Sequence, residues 1–196
     1  MRILGLAPHT DDIEFACGAS INRWITEGHD VYVASFTSAS ALKKEFKGAS
    51  KILGIPDSNI RLFQFPVRDF HSNRQGILEE MVRLGKELAP ELVLTPASTD
   101  THQDHRVVHE ESFRAFKRHS LIGYEMPQNN LDFKTNLFVR VSEFDIARKI
   151  SALKKYKSQE KRPYIGEEFI KSLARVRGMQ AGAKYAEAYE VIRWMV

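Results

Sequence analysis

The chain has 196 residues, 43% of them hydrophobic and 28% charged, a balance that fits a folded domain of ordinary size and excludes a disordered or fibrous chain. Its 29 basic and 25 acidic residues are interleaved, so the formal charge of +4 comes without a Lys/Arg block; it points to a small anionic ligand and no nucleic acid. Cys17 is the one cysteine and rules out an intramolecular disulfide, which suits the cytoplasm; Asp11 and Asp12 interrupt any export signal, and no apolar run reaches membrane-spanning length.

Residues 2–7 are a short apolar run and residues 30–37 a second, rich in β-branched and aromatic side chains; both predict buried strands. Between them Ile21, Trp24 and Ile25 are spaced for one face of a helix that Gly28 stops. The resulting strand–helix–strand unit has the length a parallel crossover needs. A helix over about 40–53 ends at Gly54, and Arg61 to Phe65 reads as a short strand. In residues 74–89 the apolar Ile77, Leu78, Met81, Val82 and Leu88 share a face, Glu79, Glu80, Arg83, Lys86 and Glu87 lie elsewhere, and Pro90 ends the helix.

ELVLTP, 91–96, predicts another buried strand, followed by a polar loop over 97–104 and a helix over about 105–118. Beyond residue 120 come a strand at 121–126, a polar loop, the strand TNLFVRV, helices over about 142–157 and 166–177, and a final strand AYEVIRW. No repeat, low-complexity tract or linker divides the chain. The expected architecture is one α/β domain spanning 1–196, Rossmann-like, with a mainly parallel sheet flanked by helices.

Two clusters concentrate metal-binding and proton-transfer side chains, each where a predicted strand hands over to a helix: His9-Thr10-Asp11-Asp12-Ile13-Glu14 and His102-Gln103-Asp104-His105. In parallel α/β sheets the loops at the carboxyl ends of the strands line one crevice, so clusters distant in sequence can converge. Catalytic zinc takes roughly three protein ligands and leaves a position open, and His9, Asp12 and His105 supply two imidazoles and a carboxylate. Asp11 and His102 then remain for base and oxyanion stabiliser, with Asp104 able to hold His102 charged and oriented. A coordinated metal lowers the pKa of water to about 7 and polarises an amide carbonyl, so the set suits metal-assisted amide hydrolysis. Zinc is the expected ion; such a site also takes ferrous iron.

On these residues the chain resembles the LmbE-like, or PIG-L, N-acetylglucosaminyl deacetylases. Their first motif, His-Pro-Asp-Asp-x-Glu followed by small residues, is similar to PHTDDIEFACGAS, and their second, His-x-Asp-His, to HQDH at 102–105. KILGI and ELVLTP also match in position; the likeness covers most of residues 1–118 and runs more loosely through YKSQ and KYAEAYE. The resemblance implies an LmbE-like fold, zinc ligation by His9, Asp12 and His105, Asp11 as general base and then acid, His102 as oxyanion stabiliser and Asp104 as its partner. It further implies release of acetate from an N-acetyl sugar, and the C-terminal third suggests a nucleotide-linked or lipid-linked sugar in glycan biosynthesis. Thr10 replaces the family's usual proline, and Lys43 and Lys44 stand where an arginine often precedes the glutamate that matches Glu45.

Two other readings use the same residues. Six potential ligands would serve a two-metal phosphoesterase, and a retained fold without turnover would be a sugar-binding protein. Among the remaining polar residues, Glu14 has a supporting role, and His109, four residues after His105, reads as structural. Arg68, Asp69 and Asn73 are loop candidates for contact with a sugar or phosphate. Tyr124, Asn129, Asn130, Arg162, Tyr164 and Tyr185 lie in the half expected to shape the substrate pocket. Cys17 is expected to pack near the site without chemistry.

Overall fold

A computed structural model describes residues 1–37, 40–159, 162 and 165–196. One seven-stranded sheet runs through it in the order β3-β2-β1-β4-β5-β7-β6, built from β1 (Arg2–Ala7), β2 (Asp30–Ser35), β3 (Ile60–Leu62), β4 (Leu92–Pro96), β5 (Ser120–Tyr124), β6 (Leu137–Val141) and β7 (Tyr185–Arg193). The first five strands are parallel, and β7 is antiparallel to both of its neighbours, β5 and β6. The mainly parallel α/β sheet expected from the sequence is therefore present, with one reversed strand near an edge. β3 is shorter than expected: beyond Leu62 the chain continues through single bonds from Phe63 N–H to Ser35 O (2.8 Å) and Phe65 N–H to Phe36 O (2.9 Å).

Alternation along the strands splits the core into two layers, because successive side chains of a strand point to opposite faces. On one face Ile3, Val31, Val33, Leu92 and Leu94 pack with α1 (Asp12–Thr26), α2 (Ser40–Leu53), α5 (Glu143–Leu153) and α6 (Glu167–Gln180), through residues such as Ile13, Trp24, Leu53, Ile150 and Ile170. On the other, Leu4, Leu6, Ala34 and Val93 meet α3 (Arg74–Leu88) and α4 (Gln103–Ala115) through Ile77, Met81, Leu84 and Val107. Gly5 lets α1 approach β1 closely, since a Cβ there would lie 3.0 Å from the Ile13 side chain. No helix among the described residues is long and apolar enough to cross a membrane.

This arrangement places the functional loops. The helices that follow the adjacent strands β1 and β4 lie on opposite faces of the sheet, so a crevice opens between the carboxyl ends of these two strands, the place where open α/β sheets bind ligands. The β1–α1 and β4–α4 loops that flank it carry the two chemically rich motifs.

Candidate metal and catalytic site

His9 leaves the end of β1 and Asp12 opens α1. The Asp12 carboxylate turns back to accept the His9 backbone N–H (2.7 Å), which ties both ends of the tight turn together. Thr10 lacks the ring that would stiffen this turn, but its carbonyl accepts a hydrogen bond from the buried Tyr156 hydroxyl, so the segment that follows α5 supplies the restraint. In the second motif His102 is the N-cap of α4, and its Nδ1 accepts the Asp104 backbone N–H (3.2 Å). Asp104 and His105 then fall in the first helical turn, where a carboxylate also complements the helix dipole.

Three donor atoms converge from the two motifs. His9 Nδ1 lies 3.3 Å from Asp12 Oδ2, His105 Nε2 lies 3.2 Å from the same oxygen, and the two nitrogens are 3.3 Å apart. Tetrahedral zinc with bonds of about 2.0–2.1 Å places adjacent ligand atoms about 3.3–3.4 Å apart, so the triangle already has the edge length that such an ion requires. The outer nitrogen of each imidazole is held by a carboxylate: His9 Nε2 by Asp104 (2.9 Å) and His105 Nδ1 by Asp100 (2.7 Å). That pattern fixes the tautomer that presents the opposite nitrogen to a cation.

His9, His102 and Asp104 also group closely enough to hold an ion. His9 belongs to both groups, however, and an imidazole that offers Nδ1 to one cation needs its Nε2 proton for Asp104. The two groups therefore share His9 and could not both be filled at once.

The expected pairing of Asp104 with His102 is not the one formed. With His102 Nδ1 occupied by helix capping, the Asp104 carboxylate points the other way, to His9 Nε2 and the backbone N–H groups of Arg68 (2.7 Å) and Phe70 (3.4 Å). His102 stands beside the triangle, its ring centroid 5.0 Å from that of His9 and 4.6 Å from that of His105. Asp11 faces the same cleft and meets Arg162 Nη1 at 3.4 Å.

The protein electrostatics reflect this crowding. Burial opposes a charge on His9, but hydrogen bonds to Asp104 and Asp12 outweigh it and raise its pKa to about 9. For His105 burial is again overcome, by Asp12 and Asp100, which raise it to about 10. Burial would raise Asp12, yet the two imidazoles hold it well below the usual carboxylate range. Burial and the neighbouring Asp12 charge push Asp11 up to about 6, whereas burial and the charges on His105 and His9 lower His102.

The cleft has a volume of about 290 Å³, and Thr37, Leu42, Val67, Arg68, Asn129 and Arg162 are among the residues that line it beyond the motifs. Lys43 and Lys44 do not line it, and Asp69 and Asn73 bond to each other (3.2 Å) away from it. Tyr124 is buried with its hydroxyl on Leu6 O (2.9 Å), Asn130 braces the Met126 backbone, and Tyr185 packs beneath Arg175. Tyr164 lies outside the described residues. His109 Nδ1 bonds Pro96 O (2.9 Å), a structural use, while Glu14 and Cys17 are fully buried behind the site.

The α/β sheet thus carries, at the carboxyl ends of β1 and β4, a His/Asp/His triangle that could hold a metal ion beside a cleft. The chain matches the GlcNAc-PI de-N-acetylase (PIG-L) family over residues 4–116 and belongs to it. It is 30% identical over 171 residues to the uncharacterized deacetylase YaiS of Escherichia coli K12, covering 80% of this chain and 90% of that one.

Among solved structures, the 4-carboxy-2-hydroxymuconate hydratase GalB of Pseudomonas putida KT2440 superposes with a TM-score of 0.84 at 17% identity, covering 100% and 97% of the two chains. The N,N'-diacetylchitobiose deacetylase of Pyrococcus horikoshii does so with a TM-score of 0.73 at 17% identity, covering 97% and 83%. One fold thus carries a hydratase and a deacetylase, and the reaction must be argued from the site.

Proposed function

We propose that the chain is a divalent-metal-dependent deacetylase that hydrolyses the N-acetyl amide of a sugar, with zinc as the ion, and releases acetate and an amino sugar. The observation that carries this reading is the donor triangle of His9, Asp12 and His105 with the Asp11 carboxylate beside it in the cleft. Membership of a de-N-acetylase family and the similarity to a deacetylase support it.

His9, Asp12 and His105 would hold the ion, which when bound supplies Lewis-acid polarisation of the amide carbonyl and makes water acidic enough to attack near neutral pH. Asp11 takes the proton of the attacking water and returns it to the leaving amine, a base-then-acid role open to a carboxylate at the cleft wall. His102 Nε2, the ring nitrogen not used in capping, donates to the oxyanion of the tetrahedral intermediate. Asp104 and Asp100 act as positioning residues, each through the imidazole it holds. The substrate is a small N-acetyl sugar or sugar nucleotide, and the buried Cys17 thiol fits a cytoplasmic enzyme.

Acetate release by zinc-loaded protein from a panel of N-acetyl sugars and their nucleotide conjugates tests the reading. Asp11→Asn should lower kcat by about 10²–10⁴-fold, the usual contribution of general acid–base catalysis, while bound zinc stays at one per chain. Tight metal binding without acetate release from any substrate would sink the proposal in favour of a sugar-binding protein, and two ions with phosphate release would favour a phosphoesterase.

A further inference from the structure

We infer that Arg68 reads an anionic substituent of the substrate, a phosphate or carboxylate carried by the N-acyl sugar; this rests on the deacetylase reading above. Arg68 lies in the loop between β3 and α3 and has φ 66°, the left-handed region that side chains other than glycine rarely adopt. Ala89 shares this property among the described residues, but it ends α3, where a left-handed residue is ordinary. Arg68 is instead the third residue of a turn closed by Asp69 N–H to Pro66 O (3.2 Å), a position that with positive φ favours glycine or asparagine, so a long, charged side chain is kept where a smaller residue is usual. Strain of this kind collects at ligand sites.

The backbone of Arg68 is pinned on both sides by the second motif. Its N–H donates to Asp104 Oδ2 (2.7 Å) and its carbonyl accepts from Gln103 Nε2 (2.8 Å). Asp104 is also the carboxylate that orients His9, so one group sets both a cation donor and the place from which the Arg68 side chain departs. The variable position of His-x-Asp-His thereby gains a purpose in this chain: Gln103 holds the loop.

The side chain of Arg68 is exposed and lines the cleft with Val67. No carboxylate among the described residues pairs with its guanidinium, and the adjacent Asp69 is engaged by Asn73. Among the described residues, and apart from the histidines and aspartates of the two motifs, the ionisable residues lining the cleft are Arg68 and Arg162, both cations, and Arg162 contacts Asp11. An uncompensated guanidinium suits a phosphate or carboxylate, which it can bind through two parallel hydrogen bonds. At about 290 Å³ the cleft is at the small end of ligand pockets, so a substituent on a bound sugar would extend toward solvent, and the Arg68 side chain that lines the cleft is itself exposed.

The test is calorimetric binding of deacylated ligands to zinc-loaded protein, using glucosamine 1-phosphate, muramic acid and neutral glucosamine, so that turnover plays no part. The wild-type chain should bind the phosphate or the carboxylate ligand at least about tenfold more tightly than glucosamine, and which of the two wins names the anion. Arg68→Gly suits the left-handed backbone and keeps the fold; it should abolish the preference, and Arg68→Lys should keep part of it. The absence of any preference in the wild type, or a preference retained in Arg68→Gly, overturns the inference. Preference without acetate release in the earlier assay would instead overturn the deacetylase reading alone.

Discussion

The imidazole of His105 can offer Nε2 to an ion only while its Nδ1 keeps a proton, and the Asp100 carboxylate at 2.7 Å holds that proton in place. Asp100→Ala should therefore weaken zinc binding by about 10–100-fold, the usual cost of removing such a partner, as measured by competition with a chromogenic chelator; an unchanged affinity would show that packing alone orients the ring. The convergence of the two motifs on one cleft was legible because histidines and aspartates crowd into two short segments at strand-to-helix junctions, and such junctions share one end of a parallel sheet. Asp100 was not: it is one polar residue in a polar loop, and its role depends on a turn, Asp100 N–H to Ala97 O (3.1 Å), that aims it back at the helix. The Asp104 partner was misassigned for a similar reason, since sequence adjacency to His102 said nothing about which way the carboxylate points from the first turn of α4.

At the scale of elements, α1 carries Asp12 at its first turn and is braced in its middle by an ion pair that the sequence does not announce. Glu187 of β7 accepts the backbone N–H groups of Ala19 (3.2 Å) and Ser20 (2.7 Å), and Lys149 of α5 bonds both Glu187 (2.6 Å) and the Ala16 carbonyl (3.4 Å). Both side chains are 5% exposed, and Gly18 leaves room for the lysine, because a Cβ there would meet Lys149 Cγ at 3.0 Å. Removing one partner strands a buried charge, so Glu187→Ala should cost about 3–5 kcal/mol of stability by urea unfolding; a loss below about 1 kcal/mol would place the pair among solvent-screened surface bridges. Helix existence was readable from apolar spacing in α1 and α3, and the breakers Gly28 and Gly54, with φ 82° and 94°, were read correctly as stops. The contact between Lys149 and Glu187 joins elements whose mutual position follows from topology, which periodicity does not encode.

For the molecule as a whole, the donor triangle bridges the β1–α1 loop and the start of α4, segments that lie on either side of the crevice. A cation bound there exists only in the folded chain, so zinc at 100 times its Kd should add about 2.7 kcal/mol to folding. That corresponds to a rise in Tm of roughly 5–10 °C at this chain length, reversed by a chelator; an unchanged Tm in the presence of bound zinc would mean that the unfolded chain binds it as well. The parallel order of β1 to β5 was legible from the strand–helix alternation. The reversal of β7 was not, because the final run reads as a strand whichever way it pairs.

That reversal governs how the chain can be completed. β7 lies between β5 and β6, so neither neighbour can finish its hydrogen bonding until the last strand of the sequence has been made. Until then β5, whose residues are all buried in the finished protein, presents an open edge of the kind that recruits foreign strands. The C-terminal strand therefore works as a latch, and a chain cut short before it would be drawn toward aggregation instead of surviving as a smaller folded protein.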